Sequence, residues 1–255
     1  RTRLLSPSSA LASANMQILG LADKLATQSG NPESAADMTT RALRVGYAWL
    51  STQDQRYAKA ITGDLVAVTS RHRPLPYLVD EAKVAQAAAT DADWLAPGAD
   101  ATLARTLRTA REVLLVRSLG EMSCAIALKD DVLTSTLNKG VIVSAAAATV
   151  ALGIARDNPA AAAAIVAASV RIGAANWTSL AADGGTPEGP TYWNFQTVPL
   201  AGMLSSMDSV YAGKSLAGVP DFRPAGSYAF QAPAGAGGGT HYSDTDTGQL
   251  RCTLP

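Results

Sequence analysis

Two cysteines and two histidines are all that 255 residues supply, and this scarcity closes several routes. There is no cysteine cluster, no HExxH, no GxSxG and no phosphate-cradling glycine loop, so the usual signatures of zinc proteases, serine hydrolases and nucleotide enzymes are absent. His241 and Asp244 sit three apart and offer half of a metal site, but one His and one Asp do not complete it. No metal and no cofactor are therefore expected. Cys124 lies among Met122, Ala125 and Ile126 and reads as a buried thiol; pairing with Cys252 and the redox compartment both stay open.

Charge of one sign is missing too. Lys plus Arg and Asp plus Glu are 21 each, which removes the basic field that nucleic-acid binding draws on. An anionic substrate would need a local cluster instead. Long apolar runs are also lacking: the longest weakly polar stretch, Val141 to Ile154, is too short to span a bilayer and fits a buried helix. Arg1-Thr2-Arg3-Leu4-Leu5 does not form a signal peptide, and a mature secreted protein would look the same.

What the chain does have is helix after helix. Apolar residues recur at three and four, as in Leu43, Gly46, Tyr47, Leu50 and in Ile61, Leu65, Val68. The pattern predicts helices near 8–28, 34–50, 53–69, 79–96, 100–117, 121–128, 138–156, 159–178 and 194–211. Asn31-Pro32 and Asn158-Pro159 pair a capping Asn with a Pro at the first helical position. Ser51-Thr52-Gln53-Asp54 has the spacing of a capping box. Short connections favour antiparallel hairpins, and Ala145 to Ala148 and Ala160 to Ala164 permit close helix approach. No repeat of fixed period is visible.

After Tyr211 the composition turns to Gly, Pro, Ser and Thr. Ser227–Phe230, Thr240–Ser243 and Leu250–Leu254 read as short strands around the 235–239 glycine region. The expected division is a helical domain over 1–215 and a Gly/Pro-rich extension with short strands over 216–255.

The densest chemistry lies in Asp183-Gly184-Gly185-Thr186-Pro187-Glu188-Gly189-Pro190-Thr191-Tyr192-Trp193-Asn194-Phe195. Glycine and proline give this loop a set backbone path, and Asp, Glu, Tyr, Trp and Asn are side chains that bind and act on sugars. Glu188 is either a placed acid, base or sugar-hydroxyl acceptor, or an acidic cap near a helix start. Asp183 is a turn residue or a substrate contact. Tyr192 and Trp193 are adjacent and therefore face different directions on a helix: one can serve as base and acid in a cleft while the other stacks on a sugar or anchors the loop. Asn194 is a cap, a sugar contact, or both. A second polar run, Lys129 to Gly140, also precedes an apolar helix and offers Asn138 and Lys139 to an acidic ligand. His72, in the basic Ser70–Pro74 loop, is expected to be exposed and is a candidate carboxylate contact.

Asp183-Gly184 followed by Glu188-Gly189-Pro190-Thr191-Tyr192-Trp193 resembles the Asp-Gly … Glu-Gly-x-x-Tyr-Trp pattern of the heparinase II/III-like polysaccharide lyases, within the broader alginate-lyase-like toroid enzymes. Arg3-Leu4-Leu5, Tyr57-Ala58, Asp93-Trp94-Leu95 and Tyr242-Ser243-Asp244 add weaker likenesses, so the resemblance spans nearly the whole chain while only 183–195 is specific. It implies an (α/α) toroid followed by a β-sandwich, secretion or a periplasmic location, and β-elimination on an acidic polysaccharide or oligosaccharide. An Asn or His would neutralise the uronate carboxylate and a Tyr would take the C5 proton. On that likeness Tyr192, Glu188 and Asn138 are the catalytic candidates; Trp193, Asn194, Asp183, Lys139 and His72 are the substrate contacts. Asp131-Val132-Leu133-Thr134 stands where relatives carry the neutralising Asn or His. Two alternatives remain: a glycoside hydrolase pairing Glu188 with Asp130 or Asp131 across a cleft, and a glycan-binding helical domain without turnover.

Overall fold

Polar caps mark the helix starts. In the computed structural model, which describes residues 10–127, 138–177, 190–211, 233–234 and 238–239, Ser34 Oγ accepts from the Asp37 N–H, Asp54 from the Arg56 N–H, Asp100 from Thr102 and Leu103, and Asn158 from Ala161. Each satisfies a donor that the first turn leaves unpaired. The helices that follow are α1 (Ala10–Ala26), α2 (Ala35–Arg41), α3 (Tyr47–Thr52), α4 (Gln55–Thr69), α5 (Leu78–Leu95), α6 (Ala101–Val113), α7 (Gly120–Ala127), α8 (Asn138–Gly153), α9 (Pro159–Trp177) and α10 (Pro190–Tyr211). An all-helical architecture is the result. Beside it, Pro233–Ala234 and Gly238–Gly239 form a two-residue antiparallel ladder. The strands expected at 227–230, 240–243 and 250–254 lie outside the described residues.

Several boundaries differ from expectation for local reasons. Asn31 caps no helix: its Oδ1 accepts from Glu33 N–H in a turn, and Ser34 is the cap. Ser51 is no cap either. The chain leaves α3 through Gln53 in the left-handed region (φ 61°), and Asp54 starts α4. Helix α10 begins at Pro190 rather than 194, because proline suits the first helical position, so Tyr192 and Trp193 already belong to the helix. Pro199 sits inside it.

Wider π turns interrupt the α geometry at Ala42–Gly46 and Leu114–Leu119. The first overturns a predicted stripe. Leu43 and Leu50 are exposed, while Val45, Ala48 and Trp49 are buried, because a π turn takes more residues and rotates the apolar face out of phase. Gly46 is required there: a Cβ would lie 2.5 Å from the Trp94 ring and 2.8 Å from Asp91 Oδ1.

The chain divides between Leu119 and Gly120 into two compact units. In the first, α5 is the hub, packing on α2, α4, α6 and both π turns. Ile61, Leu65, Val84, Leu95 and Leu114 are fully buried around it, each Leu or Ile contributing about 1.5–3 kcal/mol. In the second, α8 packs on α7, α9 and α10. Every residue from Gly140 to Ala151 is buried, as expected for a helix that is apolar all round. Ala145 to Ala148 are inside, but of Ala160 to Ala164 only Ala162 is buried. Cys124 is exposed rather than buried. Met122 takes the inner face of α7, and a residue two further on points away from it. Among the described residues no helix is long and apolar enough to cross a membrane.

Candidate functional site

Two helix openings carry the described part of the expected site. Asn138 and Lys139 begin α8, Asn138 buried at 3% exposure and Lys139 half-buried. Pro190, Thr191 and Tyr192 begin α10, with Tyr192 half-buried and its ring edge-on to Phe195, centroids 6.4 Å apart at 85°. This i, i+3 aromatic pair fixes the Tyr ring against its own helix. The backbone of Trp193 and Asn194 continues the same helix. Since α8 and α10 pack on one another, both openings belong to one packed group of helices. Glu188, Asp183, Asp130 and Asp131 lie outside the described residues, as do His241, Asp244 and Cys252.

One turn after Tyr192, Gln196 is buried and its Oε1 has no hydrogen-bond partner; Ser169 Oγ on α9 is in the same condition. A buried polar atom without a partner is uncommon in native structures and asks for a water or a ligand. Gln196 was missed in reading the sequence, although its spacing of four from Tyr192 places it on the same side of the helix.

His72 is exposed, as expected, in the connection between α4 and α5 of the first unit. The residues beside it are far from ordinary loop. Arg71 donates to Glu81 Oε2 at 2.8 Å, the Leu75 N–H reaches the same oxygen at 3.0 Å, and the Ser118 hydroxyl donates to Oε1. Arg117 clamps the carbonyls of Arg71 and Val68 at 2.7 and 2.8 Å. Glu81 is fully buried, so this network holds the base of the loop that presents His72 and Arg73.

A second buried pair joins Arg41 to Asp64 at 2.7 Å, with Arg41 also donating to the Leu25 and Gln28 carbonyls at the end of α1. Burial pushes the Asp64 carboxyl up, opposed by Arg41 and by the Gly30 N–H. Asp91, deeper in the core with Oδ1 unpartnered, is pushed well above the usual carboxylate range by burial and then by Asp64, with Arg41 opposing. Tyr57 donates to Asp23 at 2.8 Å, and burial followed by that bond raises its phenol to about 12. Burial lowers Lys83 to about 8, against the pull of Asp80. Shifts of this kind gather at functional sites and in structural ion networks alike; here Asp64 and Asp91 are tied into packing.

Between the end of α1 and one face of α4 lies an open cleft of about 460 Å³. Asp64 forms part of its base, Arg56 and Lys59 line the α4 side, and Gln28 and Ser29 the other. None of these residues was selected from the sequence. Among the described residues no group of three or more His, Cys, Asp or Glu could hold a metal ion.

No family model matches this chain, and no curated protein matches it.

Proposed function

We propose that this chain is the helical part of a secreted or periplasmic polysaccharide lyase that cleaves a uronate-containing glycan by β-elimination, its helices arranged as an (α/α) toroid. The observation that carries the reading is the packing of α8 on α10. The motif-bearing segment 183–195 thereby leads into a helix whose direct neighbour is opened by Asn138 and Lys139. Abstraction of the C5 proton builds negative charge on the uronate carboxylate, and preorganised donors must meet that charge. Lys139 supplies a cation and Asn138 an amide. Tyr192 is the base within hydrogen-bond reach of the C5 proton, and as the C4–O bond breaks and the C4=C5 double bond forms it gives that proton to the leaving oxygen. Glu188 acts beside Tyr192 as a placed acid or base, and Asp183, Trp193 and Asn194 contact the sugar rings.

The test is direct. Incubation with alginate, hyaluronan and heparan sulfate should release products with the ultraviolet absorbance of a double bond conjugated to the carboxylate. Tyr192→Phe should abolish that signal while glycan binding persists. Absence of the absorbance with every acidic glycan sinks the reading.

One observation favours a second reading, a glycan-binding domain without turnover. Asn138 is buried, which suits a residue that shapes the start of α8 better than one that meets substrate. Retention of glycan with no unsaturated product, unchanged in Tyr192→Phe, would select it.

A further inference from the structure

Lys59 projects from α4 with no hydrogen-bond or ion-pair partner among the described residues, in a cleft where the other charges are matched. Arg56 is held by Asp54 at 2.8 Å and approaches Asp23 at 3.5 Å. Asp64 at the base is neutralised by Arg41 beneath it. Lys59 is thus the lining cation without a direct partner among the described residues, although Asp23, Asp54 and Asp64 equal Arg41, Arg56 and Lys59 in number.

The floor is made of small residues. Ala60, Gly63 and Ala67 follow Arg56 and Lys59 at helical spacing along the cleft face of α4, and Ala26 faces them. Glycine in a helix interior is unfavourable relative to alanine, and packing does not require it at 63: a Cβ there would meet nothing within 4 Å. Gly20 has the same open space without lining the cleft, so glycine alone argues nothing. At 63 the space belongs to a cavity whose volume lies within the roughly 300–1,000 Å³ of small-molecule sites.

The remaining lining is made of groups that bind hydroxyls. Asp23 Oδ1 accepts from Tyr57, while Oδ2 has no partner among the described residues. Gln28 and Ser29 add amide and hydroxyl groups on the opposite lip. A multiply charged anion such as phosphate is repelled by the Asp23 carboxylate more strongly than a monoanion is, and a monoanion whose body carries hydroxyls can donate to that carboxylate.

We propose that this cleft in the first unit is a binding site for a single uronic acid residue, its carboxylate on Lys59, its hydroxyls on Asp23, Gln28 and Ser29, and its ring over the Ala60–Gly63 floor. The choice of ligand rests on the acidic-glycan reading above; the site itself is built from first-unit residues and is read by binding rather than turnover.

The experiment follows the Gly63 amide by NMR in the full chain during titration with D-glucuronate, D-glucose and inorganic phosphate. Glucuronate should move it at concentrations about tenfold lower than glucose, as one charge-assisted contact provides. Lys59→Met should erase that difference. Gly63→Leu, followed by its neighbouring amides and with thermal stability not lowered, should lose both sugars by filling the floor. Equal response to glucose and glucuronate, tighter binding of phosphate, no response to any probe, or full glucuronate binding in Gly63→Leu would each overturn the inference. Turnover of a glycan without a Gly63 response overturns the cleft and leaves the lyase reading standing. A selective Gly63 response without turnover of any acidic glycan does the reverse.

Discussion

The unit ending at Leu119 and the unit starting at Gly120 both bury alanine-rich helices, but they hold them together with different chemistry. In the first, charges are sunk into the core: Arg41 on Asp64, Arg71 and Arg117 around Glu81, and Asp91 with an oxygen left unpaired. In the second, no ion pair joins two described residues, and the central helix α8 buries its own Val141, Ile142, Val143 and alanines. Small side chains let helices approach closely and need only volume to be right. Buried charges need direction and partners, and they tie together segments far apart in sequence. The difference teaches that the first unit should respond to charge and pH, and the second to volume.

The largest expected effect breaks the charge side of this contrast. Glu81→Leu takes the carboxylate from the buried Arg71 guanidinium and frees the Leu75 N–H, at a cost of about 3–5 kcal/mol. Urea denaturation followed by hydrogen exchange in α4 and α5 would register it, and Glu81→Gln should cost less because it keeps acceptor and shape. A loss no greater than that of an ordinary surface change would mean that packing, and not charge, holds the first unit.

Next comes the volume side. Ala146→Leu in α8 forces extra carbon into a fully enclosed position, at about 1–3 kcal/mol, and the loss should be the same at acid and neutral pH. A pH-dependent loss would show that the second unit hides charge of its own.

Asp91→Asn sharpens the comparison. Burial holds the folded Asp91 carboxyl well above the ordinary carboxylate range, so it favours the folded state while protonated. That contribution is complete below the unfolded value and is lost as pH rises towards the folded one. Asn stays neutral throughout. The variant should therefore gain over the parent most at neutral pH and least in acid, as read from urea midpoints at the two extremes. An equal change at both would contradict the burial argument. The smallest effect is Gly63→Ala, which fills open space on an exposed helix face and should stabilise the chain by about 0.5–1 kcal/mol. A loss of stability there would mean that the α4 floor is packed rather than open.

The helices were legible along the chain because their signals are local. Asp54, Asp100 and Asn158 cap within three residues of themselves, and the apolar spacing of Ile61, Leu65 and Val68 needs only its own helix. The expectation of a site rested on residue types at 183–195, and spacing along the chain cannot say which helix lies beside α10. Gln196 shows the same limit, since its unpartnered oxygen follows from what packs around it. The cleft was not legible at all: Asp23, Lys59 and Gly63 are unremarkable until α1 and α4 are set side by side.

Chain-local chemistry, then, determined that this protein is helical, where most of its helices begin, and that α8 is a buried element, because propensity, capping and hydrophobic period act within a few residues. Tertiary structure alone decided the phase of the faces after the π turns, the exposure of Cys124 opposite Met122, the pairing of Arg41 with Asp64 across 23 residues and the open floor at Gly63. These depend on which surfaces meet in space, and a side chain's partner in a packed core is chosen by geometry that no neighbouring residue encodes.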